Sequence, residues 1–88
     1  MKVICINDKF KPNSISNSHW VKKDEVYTVV KMLKNTLSQE LFFVLEEIEP
    51  DDKLYGGYRA SRFSFAPEEI QEFEETFGIQ YAEGIDNY

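Results

Sequence analysis

Two stretches rich in β-branched and aromatic residues, Val26-Tyr27-Thr28-Val29-Val30 and Leu41 to Ile48, flank a short polar break. That pairing constrains the fold more than any other feature. β-Branched side chains are stiff at χ1 and suit a pleated surface better than a helix. In the second stretch Leu41, Phe43 and Leu45 alternate with Phe42, Val44 and Glu46, the period-two pattern of a strand with two unlike faces. Between the stretches, Asn35-Thr36 and Ser38-Gln39 supply turn-forming side chains. An antiparallel hairpin over residues 25–33 and 41–48 is therefore predicted, with Val30 and Phe43 in its core.

Shorter elements extend the pattern on both sides. Lys2 to Ile6 reads as a first strand, closed by Asn7-Asp8. Residues 7–19 are loop-like, with Pro12-Asn13-Ser14 and Ser16-Asn17-Ser18 as turn formers and Ile15 as the aliphatic pin to the core. After the breaks at Pro50-Asp51-Asp52 and Gly56-Gly57, a short strand at Tyr58-Arg59-Ala60 precedes a tight turn at Ser61-Arg62-Phe63 and a last strand at Phe63-Ser64-Phe65. The period then changes. Pro67 suits N1, where its missing N–H is no loss, and Glu68 and Glu69 suit the positive end of the helix dipole. Ile70, Phe73 and Phe77 form one stripe, and Gly78 is a natural terminator, so a helix over 67–77 is predicted. Residues 78–88 are left as a tail. With 88 residues there is one domain, 1–88, with a β part over 1–66.

Charge and cysteine usage narrow the function classes. Ten Lys and Arg against sixteen Asp and Glu give a formal charge of −6, unevenly distributed. Residues 1–34 hold seven lysines and three acids (+4), whereas residues 35–88 hold Lys53, Arg59 and Arg62 against thirteen acids (−10). An acidic total disfavours phosphate-backbone binding, which draws its affinity from Lys and Arg. A single cysteine makes no intrachain disulfide, so a reducing cytoplasm is the expected compartment. Val3 to Ile6 is far shorter than a signal-peptide core, and no apolar run approaches a membrane span.

The segment Trp20-Val21-Lys22-Lys23-Asp24-Glu25-Val26-Tyr27-Thr28-Val29 resembles the hydrophobic-Lys-Lys-Gly-Asp-hydrophobic diverging turn of SH3 domains, with Asp24 where glycine is usual. Gly57-Tyr58-Arg59-Ala60-Ser61-Arg62-Phe63 is similar to the Gly-x-x-Pro-Ser-Asn-Tyr segment, where a one-turn 3₁₀ helix joins the last two strands. The likeness implies a small, partly open SH3-like antiparallel barrel of about five strands, mainly β, with the C-terminal amphipathic helix across it. It does not carry over polyproline binding, which needs flat amphipathic rings along a groove. The first loop has no tyrosine, Leu41-Phe42 stands roughly where the groove tryptophan would be, Ala60 replaces the proline, and Phe63 lacks a hydroxyl. Val26-Tyr27-Thr28-Val29, Leu45-Glu46-Glu47-Ile48 and Ala60-Ser61-Arg62-Phe63 also resemble short uncharacterised proteins of gut bacteria and their phages. That likeness implies no activity.

Residues with catalytic or ligating chemistry are few. His19, with Asp24 five positions on, has the makings of an oriented general base, yet no nucleophile or charge-stabilising group is marked beside it. It is read as a loop histidine next to a half-buried Trp20. Cys5 alternates with Ile4 and Ile6 in the first strand and is read as a small buried hydrophobe. Asp51-Asp52 with Glu47 and Glu49 lacks an ordered calcium-loop pattern, and no metal or cofactor is expected. The glutamate pairs at 46-47, 68-69 and 74-75 are too numerous to single one out, and 88 residues seldom fold around a carboxylate cleft.

Aromatic residues are where a site is sought. Trp20, Tyr55, Tyr58 and Phe63 lie in or beside loops that a barrel brings to one side, and Arg59 and Arg62 supply cations. Either these rings complete the core, or Trp20, Tyr55, Tyr58, Arg59 and Arg62 form a contact surface of the hot-spot kind. The expected function is a non-enzymatic protein-interaction module, encoded by a phage or mobile element, monomeric, with an unidentified protein partner and no membrane association. The alternative is a nucleic-acid-associated protein, through its basic N-terminal half or through an acidic C-terminal half that mimics DNA.

Overall fold

A computed structural model describes residues 1–48 and 57–83. Among these described residues six strands run in the order β1 (Lys2–Cys5), β2 (Val26–Asn35), β3 (Leu41–Leu45), β4 (Tyr58–Arg59), β5 (Phe63–Ser64) and β6 (Gln80–Ala82). The helix α1 (Pro67–Phe77) separates the last two, and 3₁₀ turns lie at Asn17–His19 and Ala60–Arg62. The sheet order is β4-β3-β2-β1-β5, antiparallel throughout, and β6 adds to β2 in parallel. Because β4 and β5 stand at opposite ends of that order yet are joined by the three-residue turn Ala60–Arg62, the sheet must curl until its ends approach. The result is a small, mainly β, partly open barrel with a C-terminal helix, as expected from the sequence, with its 3₁₀ link in the expected place.

The expected hairpin forms, with one change of phase. Val29 lies opposite Leu45 and Lys31 opposite Val44, so β2 carries an extra residue, Val30, at a bulge. Before the bulge Tyr27 and Val29 point into the core, and after it Met32 does. Val30 is turned outward and is 50% exposed, so its expected core position is corrected: with Tyr27 and Val29 inward, alternation already points Val30 to solvent, and the bulge restores the inward phase only at Met32. Phe43 is fully buried in the main core with Val3, Cys5, Ile15, Val29, Met32 and Leu45. Phe42 and Leu33, on the other face of the hairpin, form a second small cluster packed by Val44 and Ala82.

Two left-handed positions explain why the chain turns where it does. Asp24 has φ +72, the conformation that glycine adopts most readily, at the position where the SH3 pattern has glycine. Its N–H donates to the Cys5 carbonyl at 2.8 Å, and the Cys5 N–H donates to the Glu25 carbonyl at 3.0 Å, tying the start of β2 to the end of β1. Gly57 has φ +77 and sits against β3 so tightly that a Cβ there would lie 2.2 Å from the Phe43 carbonyl oxygen.

Helix α1 has the predicted limits, and the N–H of its C-cap Gly78 donates to the Glu74 carbonyl at 2.9 Å. Its stripe is only partly used. Phe73 is buried and Ile70 half-buried against the core, whereas Phe77 is 74% exposed. Within the predicted tail, Gln80–Ala82 forms a strand that the sequence reading did not expect, pairing with Leu33–Asn35 as β6. Among the described residues no helix is long and apolar enough to cross a membrane.

Candidate interaction surface

Residues 6–25 connect β1 to β2, and buried side chains hold this loop in shape. Ile15 and Val21 insert into the core. Trp20 is 6% exposed, and its indole N–H donates to the Asp8 carbonyl at 2.7 Å. Tyr58 packs edge-on against Trp20 with ring centroids 5.6 Å apart, and its hydroxyl donates to the His19 carbonyl. From the 3₁₀ turn, Arg62 lies over the Trp20 ring and donates from Nη1 to the carbonyls of Asn7 at 3.1 Å and Lys9 at 2.8 Å. The Ile6 and Asn7 N–H groups donate back to the Arg62 carbonyl at 2.8 and 3.2 Å. One short turn therefore fixes both ends of the loop.

This network settles where the expected contact residues stand. Trp20, Tyr58 and Arg62 do come together, but as a buried stack rather than an exposed patch: Tyr58 is 3% and Arg62 7% exposed. The sequence could not reveal this, because a loop aromatic is buried or exposed according to what a distant segment lays over it. Phe63 likewise belongs to the core, against Phe43 and Tyr27. Arg59 remains at the surface, its side chain 35% exposed and 3.1 Å from the Glu40 carboxylate. Tyr55 lies outside the described residues, as do Glu49, Asp51 and Asp52 of the weighed calcium cluster.

What the loop displays outward is a different set. Phe10 is 86% exposed and holds φ +66, a left-handed conformation uncommon for a bulky side chain. It lines an open cleft of about 310 Å³ with Asn7, Arg59, Ser61 and the edge of Arg62. A second cleft of about 260 Å³ shares Asn7 and is lined by Ile6, Asp8, Lys9 and Lys23. Sequence reasoning passed over Phe10. The available signal was a lone aromatic set between Lys9 and Lys11 in a polar loop, without an apolar neighbour to give it a periodicity.

Burial shifts two titratable groups beside the loop, Arg62 and Cys5. Desolvation, reinforced by the charge of Arg59, lowers the Arg62 pKa, yet an arginine so placed stays cationic. Desolvation pushes the Cys5 thiol up, which keeps it protonated and unreactive. His19 is held inside its own turn, with Nδ1 2.7 Å from the Ser16 hydroxyl. Among the described residues no group of three metal-ligating side chains occurs. Comparison with known proteins finds no matching family model, no matching curated protein and no matching solved structure, so the surface is read from its own geometry.

Proposed function

We propose that this chain is a non-enzymatic protein-interaction module, carried by a phage or mobile element and acting in the cytoplasm as a monomer. Its contact surface is centred on Phe10, with Arg59 beside it and Ile6 in the adjoining cleft that shares Asn7. The observation that carries this reading is the pairing of an almost fully exposed phenylalanine with a loop fastened from beneath by Trp20, Tyr58 and Arg62. An aromatic anchor next to an arginine has hot-spot composition, and a pre-ordered loop loses little conformational entropy when a partner closes over it. Trp20, Tyr58 and Arg62 thus serve the surface as its frame.

The nucleic-acid alternative draws on one observation, the lysines Lys9 and Lys23 that rim the second cleft. Both readings are tested by placing a photo-crosslinking residue at position 10 and, as control, at the equally exposed Leu37. Adducts are analysed from host cells with and without nuclease. The module reading expects one protein adduct, specific to position 10 and resistant to nuclease. Nucleic-acid adducts would replace it with the alternative, and identical adducts from both positions would remove the Phe10 surface.

A further inference from the structure

Helix α1 ends in an exposed ring that the fold does not use. Phe77 stacks on buried Phe73 with centroids 4.9 Å apart, but it remains open to solvent. Together with Met1 and Thr76 these rings line a cleft of about 200 Å³, with Glu69 and Glu72 at its rim. That volume lies below the roughly 300–1,000 Å³ of small-molecule pockets and fits a single inserted side chain.

Charge on the helix side of the cleft has one sign, and the Met1 α-amino group is the cation facing it. The helix carries five glutamates and no base, and none of the five is in an ion pair among the described residues. Two of them, Glu74 and Glu75, occupy the last turn, where the helix dipole is negative and a cation is the favoured neighbour. The lysine next to Met1 is engaged elsewhere, since Lys2 donates from Nζ to the Thr28 hydroxyl at 2.6 Å. A cationic partner at this end of α1 would remove an unfavourable interaction within the helix as well as form new ones.

We infer that the Met1–Phe73–Phe77 cleft docks a basic segment of a protein partner, one large apolar side chain entering the cleft and flanking Lys or Arg side chains meeting the α1 glutamates. The site is independent of the Phe10 surface, and occupation of both would let the domain bridge two proteins.

The test is an NMR titration of the full chain with a synthetic peptide of alternating Lys and Leu, and with a control peptide in which every Leu is Ser. Expected shifts cluster at the Met1 methyl, Thr76 and the Phe77 ring, and the control peptide binds at least about tenfold more weakly. Phe77→Ser, an exposed site whose melting curve should be unchanged, reduces Lys–Leu affinity by a similar factor. The double change Glu72→Gln and Glu75→Gln weakens binding and flattens its salt dependence. Equal binding of the two peptides, or full affinity in Phe77→Ser, would overturn the inference in favour of charge attraction alone. If sedimentation instead finds self-association that peptide does not displace, the occupant is a second copy of the chain and the inference also fails.

Discussion

The guanidinium carbon of Arg62 lies 4.7 Å from the centre of the Trp20 ring, and the same guanidinium donates to the carbonyls of Asn7 and Lys9. One side chain thus joins the 3₁₀ turn to both the ring and the backbone of the loop that carries Phe10. Arg62→Ala would leave two carbonyls short of a donor and remove the cation from the ring. A loss of about 2–3 kcal/mol is expected. In urea unfolding the midpoint should fall at constant slope, with hydrogen exchange accelerated over residues 7–10. A midpoint unchanged from the parent would show that the loop holds itself.

Val30 and Phe43 stand in opposite surroundings of the β2–β3 hairpin, the first half in water and the second in the main core. Phe43→Asp buries an unpaired carboxylate in the main core and should abolish cooperative melting, because its cost is comparable to the whole stability of a small domain. Val30→Asp should change stability by less than about 1 kcal/mol, since half of Val30 already faces water. Circular-dichroism melts of the two variants decide the point, and unfolding in both would place Val30 in the core.

Gly57 and Gly78 share a positive φ, +77 and +78, but not their surroundings. Alanine at Gly78, whose ψ of 166 places it in a positive-φ extended region open almost only to glycine, meets nothing within 4 Å and should cost about 1–3 kcal/mol, the conformational penalty alone. Alanine at Gly57 drives its methyl into the Phe43 carbonyl and should cost at least about 1 kcal/mol more. Equal losses in denaturant titrations would mean that β3 can move away from Gly57.

Glu47 gives the domain an acid-sensitive clasp. Its carboxylate accepts the Thr28 N–H at 2.7 and 3.0 Å and the Thr28 hydroxyl at 2.8 Å. Partial desolvation pushes its pKa up, but the Thr28 hydrogen bonds and the nearby Lys2 charge outweigh it and leave the group below its ordinary value. The folded state therefore binds the Glu47 proton less readily than the unfolded chain. The clasp is fully stabilising above the unfolded pKa of about 4.3 and is lost as pH falls through the lower folded value. The melting-temperature gap between the parent and Glu47→Gln should accordingly be widest near neutrality, begin to narrow at about pH 4–5 and close only as pH falls through the lower folded value. A gap independent of pH would remove the clasp.

Much of the architecture is legible from neighbours along the chain. β-Branching and alternation mark the β2–β3 hairpin; Pro67, the early glutamates and Gly78 delimit α1; Asp24 occupies the left-handed corner that the SH3 pattern assigns to glycine. These are local properties, set by χ1 stiffness, capping and backbone conformation within a few residues. Tertiary structure decided the rest. A bulge moved the inward phase of β2 from Val29 to Met32, a parallel pairing with β2 made residues 80–82 a strand, and the Ala60–Arg62 turn drew Trp20, Tyr58 and Arg62 into one buried stack while Phe10 and Phe77 stayed in water. The reason is that burial belongs to pairs of surfaces. A ring in a polar loop is core or contact according to which distant segment covers it, and no periodicity within the loop records that segment's arrival.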